Sequence, residues 1–216
     1  MHKKINIISF DVDGTLVDPE YNDLIWFKEI PELLAKERRI PFKDAVKIAF
    51  KEYEIIGSND LKWYELKYWI SYFNLKISNH EILKKYEPQI KIFSSVIPLL
   101  EDLKERYELI VISAMPREFL SPKMLKLGKY FTRTFSAISD FKQLKNIDLY
   151  IKISQILKVH PSEVMHIGDG WKSDYLSAKQ AGMNTIFLDR SNKKVGENII
   201  NDLEEVRTIL KTFEEN

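Results

Sequence analysis

Four short, nearly unbroken apolar runs punctuate the chain, from Ile5 to Phe10 and over 109–113, 164–168 and 184–189, and each is followed by polar or turn-forming residues. Runs of that length suit strands buried on both faces, as in a parallel sheet. A weaker run, "RTFSAI", covers 133–138. Between the runs, apolar residues recur at helical spacing over 95–107, 117–128, 147–159, 173–182 and 201–215. Gly128 and Gly182 close two of these segments as helix stops. Strands alternating with helices predict an α/β fold, a parallel sheet with right-handed crossovers.

Residues 19–93 break this rhythm. They contain no strand-like run, and their apolar residues fall at helical spacing in "YNDLIWFKEI", "FKDAVKIAFKEY" and "LKWYELKYWISYF". Ser78 and Glu81 have the spacing of a capping box for one more helix. The segment reads as an all-helical insertion between the first strand and the rest of the sheet. Its boundaries predict one domain from 1–18 with 94–216, and a second from 19–93. The insertion is rich in aromatics, among them Trp26, Trp63 and Trp69. They suit a bundle core, with one or two rings left to line a pocket.

Composition narrows the chemistry. The 216 residues carry 33 basic and 32 acidic side chains and a formal charge of +1. That balance gives no electrostatic reason to bind nucleic acid or an anionic membrane. There is no cysteine, hence no thiolate nucleophile and no cysteine-ligated zinc. His2, His80, His160 and His166 lack metal-ligand spacing, and His166 reads as a core residue of its strand. The apolar run near the start is short of the ~20 residues of a membrane span, so a cytoplasmic location is expected.

The polar residues at the strand ends carry the candidate chemistry. In a parallel sheet, ligands bind beyond the carboxyl ends of the strands. "FDVDGTLVD" places Asp11 and Asp13 at such an end, "VIS" ends in Ser113, and "HIGDGWKSD" places Asp169 and Asp174 at another. Carboxylates crowded together need a cation, and an all-oxygen set suits Mg²⁺. Asp11 could then attack a phosphorus atom while Asp13 moves protons. A lysine would offset charge on the transferring group. "SDFKQLKNIDLY" offers Lys142 and Lys145, and Lys145 is favoured because it precedes the helix cap Asn146.

These motifs, in this order, resemble the haloacid dehalogenase-like (HAD) hydrolase superfamily over nearly the whole chain. The resemblance implies a Rossmann-like core with strand order 5-4-1-2-3 and a helical cap of the first type over 19–93, which selects the substrate. It implies Asp11 as nucleophile and Asp13 as general acid/base, whose backbone carbonyl also meets the metal. Ser113 and Lys145 would bind the phosphoryl group, and Asp169 would hold Mg²⁺ with Asp174 in support. "SAMPRE" departs from the family's frequent Asn after the serine, leaving the Ala114 amide as a phosphoryl contact. Arg117 could reach a substrate anion or stay a solvated first-turn residue.

The expected activity is hydrolysis of a small phosphorylated metabolite through an aspartyl-phosphate. A 2-haloacid dehalogenase, a phosphomutase and a catalytically silent binding module share the scaffold. Dehalogenation needs neither a leaving-oxygen acid nor a metal, so Asp13 and Asp169 argue against it. No motif residue lies in the insertion, which is expected to govern substrate choice and not the chemical step. "SFDVDGTLVDPE" also nearly fits an EF-hand loop, but the β-like residues before it leave no entering helix.

Overall fold

In the computed structural model, which describes residues 4–215, six parallel strands form one sheet. His2 lies outside the described residues. The strands are β1 (Ile7–Phe10), β2 (Glu108–Ser113), β3 (Arg133–Ser136), β4 (Val164–Gly168), β5 (Asn184–Leu188) and β6 (Ile199–Ile200). Their order is β3-β2-β1-β4-β5-β6. The first five follow the expected order. The two-residue β6, which pairs with β5 at the edge, is too short to leave an apolar pattern. The weak run at 133–138 is strand only to Ser136. There the Ser136 hydroxyl accepts from the Ser139 amide at 3.0 Å and starts a helix.

Side chains alternate between two buried faces, as the two-residue period of a strand requires. Ile8, Phe10, Leu109, Val111, Met165 and Ile167 point to one face. Ile7, Ile110, Ile112 and Val164 point to the other. Register explains why the strand ends meet. Phe10 lies beside both Val111 and Ile167, so Asp11, Ser113 and Asp169 all follow at the same edge.

Between β1 and β2 run α1 (Glu20–Asp23), α2 (Ile30–Arg38), α3 (Phe42–Ile56), α4 (Leu66–Tyr72) and α5 (Asn79–Tyr86). A π-helical turn, Leu24–Glu29, joins α1 to α2. The capping box forms, with Glu81 N donating to the Ser78 hydroxyl at 3.2 Å and Ser78 N donating to Glu81 at 3.0 Å. The chain enters and leaves this helical stretch side by side: Asp18 N donates to Lys91 O at 2.9 Å and Phe93 N to Leu16 O at 3.2 Å. Trp69 and Trp26 are buried; Trp69 packs edge-on against Tyr53 at 4.6 Å within the bundle, whereas Trp26 also stacks at 5.4 Å on Phe119, outside the insertion.

The remaining helices are α6 (Val96–Leu103), α7 (Arg117–Leu127), α8 (Ala137–Phe141), α9 (Ile147–Leu157), α10 (Ser177–Gln180) and α11 (Val206–Glu215). Helices α6, α7 and α11 cover the Phe10 face, and α9 and α10 the Ile7 face. Among the described residues, no helix is long and apolar enough to cross a membrane.

Candidate active site

The loop after β1 is tight, with Leu16 N donating to Val12 O and Gly14 N to Val17 O, both at 2.8 Å. Gly14 has φ +80°, and a Cβ there would lie 2.2 Å from Asp169 Oδ2. Only glycine lets the Asp169 carboxylate lie against this loop. Thr15 Oγ1 then donates to Asp169 Oδ1 at 3.0 Å. Carboxylate oxygens of Asp11, Asp169 and Asp174 come within 4.8 Å of one another.

Lys145 enters this cluster from below. Its buried ammonium donates to Asp11 Oδ1 at 2.7 Å and pairs with Asp174 Oδ1. Asn146, the next residue, caps α9 by accepting from Leu149 N at 3.0 Å. That cap fixes where Lys145 points. Lys142 instead ends α8 in a left-handed conformation (φ 55°) and is exposed.

Electrostatics follow from three crowded carboxylates, two of which pair with one ammonium. Burial pushes Asp11 well above the carboxylate range, Lys145 pulls it down, and Asp174 and Asp169 push it further up. Asp169 keeps access to solvent, yet its carboxyl is raised to about 6 by desolvation among its neighbours and then by Asp174. Burial works against the Lys145 charge, but Asp11 and Asp174 outweigh it and hold the ammonium above its ordinary range. Burial also opposes the Asp174 charge, and Lys145 with His166 overcomes it, leaving Asp174 well below the usual range.

Asp174 lies in a π-helical turn, Trp171–Leu176, where Asp174 N and Tyr175 N both donate to Gly170 O. A regular helix is expected from 173 onward; the structure has this wider turn instead, and Asp174 within it is a member of the cluster. Gly170 N donates to its Oδ2 at 2.8 Å. Behind it stands a buried polar chain. His166 Nε2 lies 3.1 Å from Asp174 Oδ1 and 3.0 Å from Tyr150 Oη, and Nδ1 lies 2.8 Å from Ser9 Oγ. Burial holds His166 below its ordinary range, which keeps the ring neutral. His166 is therefore a core residue that also braces Asp174. The signal was a serine and a histidine in two otherwise apolar runs.

Asp13 stands apart from the carboxylate cluster. Its Oδ1 pairs with the ammonium of Lys123 on α7. Lys123 was not among the expected site residues. Its signal is position, because Leu120, Lys123 and Leu127 share the buried face of α7. Ser113 Oγ accepts from Met115 N at 3.1 Å, an arrangement that leaves the O–H to donate. Ala114 and Lys145 line a cleft of about 310 Å³, facing Ser58, Asn59 and Tyr64 from the α3–α4 connection.

The structure does not bring Arg117 to this cleft. Its guanidinium is spent on Asp140, at 2.6 and 3.0 Å, and on Thr134 Oγ1 and O, at 2.8 and 2.7 Å. Of the two expected roles, substrate contact or solvated first-turn residue, Arg117 takes neither in this structure: it forms an ion pair that joins α7 to β3 and α8.

Residues 5–182 match the family described as haloacid dehalogenase-like hydrolase. The chain belongs to this family. Among its HAD relatives, the GMP/IMP nucleotidase YrfG of Escherichia coli (strain K12) is 27% identical over 100 residues. That match covers 46% of this chain and 44% of the nucleotidase, less than half of either. The pyrophosphatase PpaX of Bacillus velezensis is 28% identical over 195 residues, covering 85% of this chain and 82% of PpaX. In fold, a HAD phosphatase from Thermococcus onnurineus superposes with a TM-score of 0.83 at 24% identity, over 95% of this chain and 98% of that one.

Proposed function

We propose that this HAD chain is a Mg²⁺-dependent phosphatase that hydrolyses a small phosphorylated metabolite through an aspartyl-phosphate on Asp11. The observation that carries the reading is the meeting of the Asp11, Asp169 and Asp174 carboxylates, with the Lys145 ammonium paired to Asp11 and Asp174.

The donor set fits the metal. Three carboxylates offer hard oxygens, and the upward push on Asp11 and Asp169 is the unfavourable charge that a cation relieves. Asp11 and Asp169 would hold Mg²⁺, with the Asp13 backbone carbonyl and Asp174 in support. When bound, the ion supplies charge neutralisation to the cluster and to the transferring phosphoryl group.

The chain's own groups divide the rest of the work. A carboxylate oxygen of Asp11 attacks phosphorus, the bond to the leaving oxygen breaks, and Asp13 gives that oxygen a proton. Asp13 then takes a proton from the water that attacks the aspartyl-phosphate, which frees phosphate and Asp11. Lys145, the Ser113 hydroxyl and the Ala114 amide hold phosphoryl oxygens. Residues 19–93 act as a cap domain over the core of 1–18 and 94–216. The cleft faced by Ser58, Asn59 and Tyr64 takes the organic part of the substrate, and its volume suits a metabolite. The nucleotidase and pyrophosphatase names of two relatives support phosphoryl chemistry over dehalogenation.

The test is phosphate release from a panel of phosphorylated metabolites and 4-nitrophenyl phosphate, with Mg²⁺ and with excess EDTA. Magnesium-dependent release from at least one compound is expected. Release from none, or release unaffected by EDTA, contradicts the reading.

A further inference from the structure

Lys123 lies on the buried face of α7 beside Phe119, Leu120 and Leu127, and its side chain is fully buried. A leucine there would cover the same core at no electrostatic cost, whereas a buried ammonium is costly unless paired. It is paired with Asp13 Oδ1, it donates to Asn22 Oδ1 at 3.0 Å, and it lies 5.3 Å from the centre of the Tyr21 ring. The other oxygen of the same carboxylate, Asp13 Oδ2, is buried and has no hydrogen-bond partner among the described residues. A buried oxygen left without a partner needs an explanation.

We propose that Lys123 is a positioning residue for proton transfer: it anchors Oδ1 of Asp13 so that Oδ2 is presented to the leaving oxygen of the substrate. The proposal rests on Asp13 being the acid of the phosphatase reading. The pairing with a fixed ammonium restrains the Asp13 carboxylate and leaves its buried second oxygen as the one not committed to the protein. Lys123 is itself fixed by α7, which begins just after the Ser113–Pro116 turn. The acid and the phosphoryl contacts therefore share one rigid frame. Asn22 and Tyr21 sit on α1, the first helix of the insertion. The insertion thus reaches the proton-transfer machinery through Lys123, in contrast to the expectation that it bears on substrate choice alone.

The test uses two aryl phosphates of similar size assayed with Mg²⁺. 4-Nitrophenolate departs readily without a proton, whereas phenolate needs one. Loss of an oriented acid therefore lowers kcat/KM for phenyl phosphate more than for 4-nitrophenyl phosphate. Lys123→Met is expected to show at least about a tenfold larger loss on phenyl phosphate, a fraction of what general acid catalysis supplies. Asp13→Asn should show the same differential, and Lys123→Arg should restore most of it. Equal losses of Lys123→Met on both substrates, with the differential present in Asp13→Asn, overturn the role of Lys123 and leave the phosphatase reading standing. No differential in Asp13→Asn overturns the acid assignment and the proposal with it. Should Lys123→Met fail to fold, Asn22→Ala keeps the ammonium and removes its second partner. A shift of the same ratio in the same direction is then expected, and an unchanged ratio overturns the proposal.

Discussion

Asp11 is the residue on which charge, burial and geometry converge. Its carboxylate is pushed up by burial and by two neighbouring carboxylates, and it is held by one buried ammonium. Asp11→Asn removes the proposed nucleophile and one of the crowded charges, while Lys145 keeps its pairing with Asp174. Turnover is expected to fall by about a thousandfold or more, with the melting temperature close to that of the wild type. Measured kcat and a thermal melt check this; retention of more than about a tenth of kcat would mean that water attacks directly. Gly14→Ala is expected to act through Asp169. The added Cβ meets its carboxylate and is strained at φ +80°, so stability should fall by about 1–3 kcal/mol and the Mg²⁺ concentration for half-activity should rise. Much at this scale was legible. Strand-end aspartates marked the cluster, and the cap at Asn146 separated Lys145 from Lys142. Arg117 was not legible, because nothing local in the chain announces that Thr134 and Asp140 will take its guanidinium. Lys123 left one faint signal, its place on the apolar face of α7 with Leu120 and Leu127, which Lys126 and Pro122 on the same helix obscure.

At the scale of elements, nearly unbroken apolar runs gave away β1, β2, β4 and β5 because both faces of the sheet are covered there, whereas β3, part-exposed at the edge, left only a weak run. The π-helical turns left no such trace, since their apolar spacing differs little from that of a regular helix. One contact between elements has a measurable consequence. Arg190, just beyond β5, donates to Gly14 O at 3.1 Å and Thr15 O at 3.0 Å, and its guanidinium stacks 3.8 Å from the Phe93 ring. It clasps the loop after β1 to the segment where the insertion returns. Arg190→Ala is expected to cost about 1–2 kcal/mol of stability and to lower kcat more than it raises KM. Denaturant melts and steady-state kinetics read both. Within the insertion, Trp69→Ala should cost about 3–5 kcal/mol as a core truncation and leave substrate preference unchanged. Tyr64→Ala, at the cleft, should shift the ratio of kcat/KM between the best metabolite and 4-nitrophenyl phosphate by more than about twofold. An unchanged ratio in Tyr64→Ala would remove that ring from the binding site.

At the scale of the whole molecule, the parallel sheet collects side chains from positions 11 to 174 at one edge, and the helical insertion leaves and re-enters the chain beside that edge. The division of labour that this suggests, phosphoryl chemistry in the sheet and selection in the insertion, is incomplete where Lys123 joins Asn22 to Asp13. Excess EDTA is expected to abolish phosphate release and added Mg²⁺ to restore it, while Ca²⁺ should inhibit, because its looser coordination can occupy both oxygens of Asp11. The most direct test of the central claim is chemical trapping of Asp11 during turnover. The enzyme is mixed with 4-nitrophenyl phosphate and Mg²⁺ and quenched within the first turnovers into borohydride, which reduces an acyl phosphate to an alcohol. Mass spectrometry of the peptide containing Asp11 should then show homoserine at that position, and no such product from Asp11→Asn. Phosphate release with Asp11 recovered intact, or homoserine at a different aspartate, would contradict the account.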